Sequence, residues 1–95
     1  MLLAQNRPLT VVPSLFHRTT RIYWQLKQDC PVALKVFDAT GRAVKTLVLG
    51  RTPAGTYTTT WNGTDDAGRP LAYGIYFVRL TTPETTVKVK TVLTR

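Results

Sequence analysis

The sequence predicts an all-β chain, an antiparallel β-sandwich of about seven strands. Three observations predict it. Apolar and polar residues alternate with period two through Thr20–Leu26, Val32–Phe37 and Thr86–Leu93. Turn residues punctuate the chain roughly every ten positions, as short sandwich strands require. No segment of useful length carries a helical period.

The strands can be justified in order. Leu9–Val12 is β-prone but lies between Pro8 and Pro13. Proline cannot donate to a ladder, so this run is an edge strand or one that breaks and switches partner. Ser14-Leu15-Phe16 follows as an irregular segment, with Phe16 expected to plug the end of the core. In Thr20–Leu26, Ile22, Trp24 and Leu26 share the inner face and Arg21, Tyr23 and Gln25 the outer. Lys27-Gln28-Asp29 makes a polar turn. Val32, Leu34 and Val36 point inward from the next strand.

Asp38-Ala39-Thr40-Gly41-Arg42 reads as a hairpin loop, because Asp accepts nearby backbone N–H bonds and Gly tolerates positive φ. Val44–Leu49 is the return strand, and Gly50–Gly55 the next turn. Thr56–Trp61 places Tyr57, Thr59 and Trp61 on one face. The stretch Trp61–Leu80 then organises the rest. It reads as a β-hairpin with a long loop punctuated by Gly63, Gly68 and Pro70, re-entering a strand at Gly74. Thr81–Glu84 is a turn, and Thr86–Leu93 turns Val87, Val89 and Leu93 inward and Lys88 and Lys90 outward.

This pattern is Ig-like in architecture. Aligned sheets would bury Ile22, Trp24, Leu34, Val36, Trp61, Ile75, Phe77, Val87 and Val89. Tyr23, Tyr57, Tyr73 and Tyr76 are expected at the margins, hydroxyls toward water or backbone. No internal repeat or low-complexity tract is expected.

Length and composition bound the function. A chain of 95 residues makes one domain with one modest core. An apolar fraction of 43% is ordinary for a folded protein, which excludes wholesale disorder. Residues 9–95 form the domain; residues 1–8 read as a linker or an added start. The net charge of +8 admits nucleic acid, an anionic membrane surface or an acidic protein as partner. The cations are scattered rather than run together, which weakens the nucleic-acid reading. Cys30 stands alone, so neither an internal disulfide nor a cysteine metal site can form. Met1–Ala4 is too short for a signal-peptide core, and no apolar run approaches the roughly 20 residues of a membrane helix. The chain is therefore either a whole cytoplasmic protein or a module of a longer exported one, with no membrane insertion of its own.

Catalytic signatures are absent. His17 is the only histidine, and no nucleophile motif accompanies it, although Ser14, His17 and an Asp form a conceivable trio. Asn62, Asp65 and Asp66 offer oxygens for Ca²⁺, but no later Glu closes the shell, and turn bracing explains them better. The glycines make no phosphate loop, since none opens a helix. Trp24 and Trp61 fall on core faces and so are not free to stack bases. The expectation is no enzyme, no cofactor, no metal and no nucleic acid.

A resemblance covers nearly the whole chain from about Leu9. Val36–Val44, Leu47-Val48, Pro53-Ala54-Gly55, Trp61–Asp65, Gly68-Arg69-Pro70 and Gly74–Leu80 are similar to the C-terminal type A sorting domain of type IX secretion. They equally resemble the related Ig-like domain of the flagellar hook-capping protein. Pro13–Phe16 and Thr19–Ile22 fit the family's Pro-Asn-Pro-Phe and Thr-Thr-x-Ile segments, with Ser14 and Leu15 as departures. The motif residues are Asp38, Gly41, Arg42, Pro53, Gly55, Trp61, Asn62, Gly63, Asp65, Gly68, Gly74 and Tyr76.

The resemblance implies a non-catalytic C-terminal module. It would target a passenger domain of the same precursor through the periplasm to the cell surface or medium. Its partners would be the outer-membrane secretion machinery and a processing peptidase. The final strand carries recognition in that family, which maps onto Lys88, Lys90 and Arg95, in a basic, exposed edge strand; Lys88 and Lys90 serve equally well to protect such an edge from aggregation. A chain that ends at Arg95 directly after that strand fits an address. A structural accessory domain, as in hook capping, is the alternative, and an independent polyanion-binding module a third.

Overall fold

Where polar and apolar residues alternate cleanly, strands form as expected. The computed structural model describes residues 8–95. The linker expected over residues 1–8 lies outside the described residues except for Pro8, whose carbonyl accepts a bond from Gln25 N at 3.2 Å.

The strands are β1 (Leu9–Val12), β2 (Leu15–Phe16), β3 (Thr20–Leu26), β4 (Cys30–Asp38), β5 (Ala43–Thr52), β6 (Gly55–Trp61), β7 (Gly74–Thr81) and β8 (Thr86–Leu93). They form a three-stranded sheet, β1-β3-β6, and a five-stranded sheet, β2-β8-β7-β4-β5. The two sheets make an Ig-like sandwich. The strand beyond the expected seven is β2, only two residues long.

Pro13 separates β1 from β2, and the chain changes sheets there: β1 pairs antiparallel with β3, β2 parallel with β8. A strand that breaks and switches partner was one of the two readings of this run. The switch is pinned by two buried threonines. Thr20 Oγ1 donates to Pro13 O at 2.6 Å and Thr91 Oγ1 to Ser14 O at 2.9 Å. Both hydroxyls are thus satisfied inside the core, where an unpaired polar group would be costly. Phe16 plugs the core as expected, its ring 5.4 Å from that of Trp61.

Three expectations fail, the third at Tyr76. The segment Trp61–Leu80 is not a hairpin, because β6 pairs with β3 and β7 pairs with β4 and β8. Its loop crosses from one sheet to the other. The inward face of β7 is also one residue out of phase. Tyr76, Val78 and Leu80 are buried, whereas Ile75 is 44% exposed and Phe77 half-buried on the outer face. Apolar residues occupy both phases of this strand, so alternation does not choose between them. The charge does: Arg79 shares its phase with Ile75 and Phe77, and that phase faces water.

Ile22, Trp24, Leu34, Val36 and Trp61 are buried as expected, with Val87 and Val89 half-buried against them. Trp61 lies between Phe16 and Tyr76, 5.5 Å from the latter. Tyr76 is therefore core rather than margin, although its hydroxyl does reach backbone, donating to Ala72 O at 2.6 Å. Trp24 stacks on its cross-strand partner Tyr57 at 4.5 Å.

Candidate recognition surface

Two turns at one end of the sandwich share a design. In each, an Asp precedes by four residues an Arg that follows a Gly: Asp38–Arg42 and Asp65–Arg69. Asp38 Oδ1 accepts from Thr40 N and Arg42 N, both at 3.0 Å. Asp65 Oδ1 accepts from Ala67 N at 3.0 Å and Arg69 N at 2.9 Å. In both, the Gly N–H returns to the Asp carbonyl and the Asp N–H to the Arg carbonyl. Gly41 and Gly68 adopt φ of 92° and 82°, which closes both turns. These local bonds set the acidities. The Thr40 hydroxyl and the Arg42 N–H hold the Asp38 carboxyl below its usual value, and the Arg69 N–H and guanidinium do so for Asp65. Burial, with Asp38 nearby, pushes the Tyr76 phenol up.

The second turn is fastened to the first strand after the first turn. Asp66 Oδ1 accepts from Thr46 N at 2.9 Å, and Asp66 N donates to Val44 O at 3.0 Å. The Asn62 side chain accepts from Thr64 Oγ1 at 2.6 Å. The oxygens weighed as Ca²⁺ ligands are thus engaged in bracing the loop. Among the described residues no cluster of His, Cys, Asp or Glu is arranged to hold a metal ion. His17 is exposed and its ring nitrogen accepts from Arg18 Nε at 3.2 Å, so no Ser14–His17–Asp trio assembles.

The remaining motif residues are structural in their contacts. Trp61 Nε1 donates to Thr64 O at 3.0 Å, and Pro53 O accepts from the Tyr57 hydroxyl at 2.6 Å. Gly55 pairs with Leu26 and Gly74 with Leu93 at the ends of their ladders. Gly63 is buried against the Leu93 side chain.

Lys88 and Lys90 stand elsewhere, on the outer face of the five-stranded sheet. Their strand, β8, is not an edge throughout: β7 flanks it on one side, and β2 covers Val92–Leu93 on the other. Among the described residues no strand pairs with residues 86–90 on that second side. Val92 N and Thr94 N donate toward β2. By alternation the backbone groups of Thr86, Lys88 and Lys90 point out along the same edge.

Cross-strand register extends this surface beyond β8. Lys88, Arg79 and Lys35 form one row across three strands, and Lys90, Phe77 and Phe37 the next. Cations lie over the rings: Arg79 is 4.1 Å from the Phe37 centroid and Lys88 is 4.9 Å from that of Phe77. Arg95 sits 5.5 Å from the Tyr73 ring at the end of β8. Such contacts order long basic side chains that form no ion pair among the described residues. Sequence reading singled out Lys88 and Lys90 but missed Lys35, Arg79, Phe37 and Phe77. The phase of Arg79 was the available signal.

Residues 12–89 match the model of the FlgD Ig-like domain. The chain belongs to the FlgD Ig-like domain family. Among solved structures, this FlgD Ig-like domain is similar to FlgD of P. aeruginosa, with 26% identity and a TM-score of 0.62 over 92% of this chain and 68% of that one. It is also similar to PorZ of Porphyromonas gingivalis, an essential bacterial surface component of the type IX secretion system. That likeness, at 21% identity and a TM-score of 0.65, covers 92% of this chain but only 11% of PorZ, and it concerns the fold. No curated protein matches the chain. The family match answers to the hook-capping branch that the sequence resembles, and the PorZ likeness is one of fold.

Proposed function

We propose that this FlgD Ig-like domain is a non-catalytic docking module that targets an attached passenger protein for export to the cell surface or medium. The observation that carries the reading is the build of β8. Among the described residues its backbone is unpaired on one side along residues 86–90, and Lys88 and Lys90 project beside that opening. An open strand can extend a partner's sheet, while the lysines set register and speed encounter. Its partners in this role are the passenger of the same precursor, the outer-membrane secretion machinery and a processing peptidase. The likeness of the fold to part of PorZ supports a setting at the secretion system of the cell surface.

The test is a fusion of residues 1–95 to the C-terminus of a periplasmically exported fluorescent reporter, in a bacterium with type IX machinery. Both lysines are exposed, so Lys88→Glu with Lys90→Glu leaves the core intact. Reporter on the surface or in the medium with the native domain, and at least about tenfold less with the double variant, is the expected result. Retention of both fusions in the periplasm overturns the reading. It would favour a scaffold that spaces or braces a larger assembly, which the FlgD family match and the likeness to FlgD of P. aeruginosa support.

A further inference from the structure

We infer that the recognition surface is the whole outer face of the five-stranded sheet, not the last strand alone, and that it docks an acidic protein surface with an aliphatic margin. The inference rests on the docking role proposed above and adds its partner chemistry and its determinants off β8. Three features of the face carry it.

The first is uncompensated charge. Lys35, Arg79, Lys88 and Lys90 occupy adjoining positions on three neighbouring strands. The ion pairs among the described residues are Arg42–Asp38 and Arg69–Asp65, and neither involves these four. Every acidic residue of the chain lies at a turn or strand end: Asp29, Asp38, Asp65, Asp66 and Glu84. Like charges about 5 Å apart across strands repel, so a partner that brings the opposite sign relieves this arrangement.

The second is order. Arg79 and Lys88 lie over Phe37 and Phe77, so the cations are held near the sheet instead of waving from it. A partner that binds them loses less side-chain entropy than one that must immobilise free lysines. The same contacts cover the rings. Bases would have to displace the cations in order to stack, which disfavours single-stranded nucleic acid.

The third is an apolar margin. Leu15, Val92 and Ile75 are cross-strand neighbours in the row beyond Phe77, and Leu15 and Ile75 are 60% and 44% exposed. A nucleic-acid or glycan polyanion covers such a margin poorly, since its charges flank hydroxylated sugar rather than aliphatic side chains. A protein surface supplies both carboxylates and aliphatic side chains, and a mixed patch of this kind is typical of docking faces.

The test is a titration of the purified domain, followed by amide NMR shifts, with a short peptide alternating Glu and Val. A Lys-Val peptide, heparin and phosphatidylglycerol vesicles serve as the other arms. The expected result is shifts at Lys35, Phe37, Phe77, Arg79 and Lys88 with the Glu-Val peptide, about tenfold weaker binding for Lys35→Gln with Arg79→Gln, and no binding of the Lys-Val peptide. An unchanged amide spectrum away from the two sites verifies that the variant is folded. Shifts confined to residues 86–90, absence of Glu-Val binding, or heparin or vesicles engaging the face where the peptide does not would each overturn the inference. The titration does not pass through the export machinery. Export can therefore fail while the face binds the peptide, and the face can fail while Lys88 and Lys90 still govern export.

Discussion

Gly63 illustrates how one backbone position couples distant parts of the chain. It has φ of 74°, and an added Cβ would meet Leu93 Cδ2 at 3.2 Å and Cδ1 at 3.3 Å. Gly68, in the same loop, has φ of 82° but open space around it. Both positions carry the left-handed penalty of about 1–2 kcal/mol for alanine. Only Gly63 also has a buried side chain at close range, so that Leu93 must give by a few tenths of an ångström to admit the methyl. Gly63→Ala should therefore lower the urea midpoint well beyond Gly68→Ala, with unchanged slope. Equal losses would mean that Leu93 does not press on this glycine. From the sequence, Gly63 was legible as a turn glycine. That its neighbour is Leu93, thirty positions along the chain, was not.

At the scale of elements, the paired Asp-x-x-Gly-Arg turns show what local chemistry decides unaided. Each Asp satisfies the N–H groups two and four residues on, bonds that need no tertiary partner. The folded carboxyls of Asp38 and Asp65 lie below their unfolded values. A depressed carboxyl stabilises the fold above the unfolded pKa of about 4, and that contribution disappears as pH falls through the folded value. Stability should thus decline below about pH 4, and Asp38→Asn with Asp65→Asn should flatten that decline. Thermal melts across that range check it; a decline of the same steepness in the variant would assign the acid sensitivity elsewhere. The turns were readable because Asp, Gly and their spacing sit together in the sequence. Their likeness to each other was equally readable, as a five-residue repeat of pattern, yet it is visible mainly once the bonds are laid side by side. Strand β7 is the contrary case. Its residues Gly74–Leu80 offer an apolar set in either phase, and pairing with β4 and β8 selects the set containing Tyr76, Val78 and Leu80.

At the scale of the whole molecule, β8 is both a surface and a structural member. Lys88 and Lys90 face outward, but Thr91 and Leu93 are buried, and among the described residues β2 pairs only with this strand. Removal of residues 88–95 would strip the core of Leu93, orphan β2 and leave the Ser14 carbonyl without its donors from Thr91 and Val92. A small domain has only about 5–15 kcal/mol of stability to lose, so this truncation should abolish the cooperative melt, whereas Lys88→Glu with Lys90→Glu should keep it. Calorimetry on the two proteins decides the matter: a truncated chain that still melts cooperatively would make β8 an appendage. Recognition by the last strand can for this reason be probed by point substitution but not by deletion.

Strand content, turn chemistry and most of one sheet face are legible along the chain, because each is written in neighbouring residues. Alternation in Thr20–Leu26 needs no distant partner to be read, and neither does the Asp38 turn. Only the tertiary structure decided that Trp61–Leu80 crosses between sheets and that Ile75 and Phe77 face out. It also decided that Lys35 and Arg79 join Lys88 in one row. Pairing is a contest between strands far apart in the chain, settled by the burial of whichever combination excludes most apolar surface from water. A single strand with two acceptable faces carries no record of that outcome.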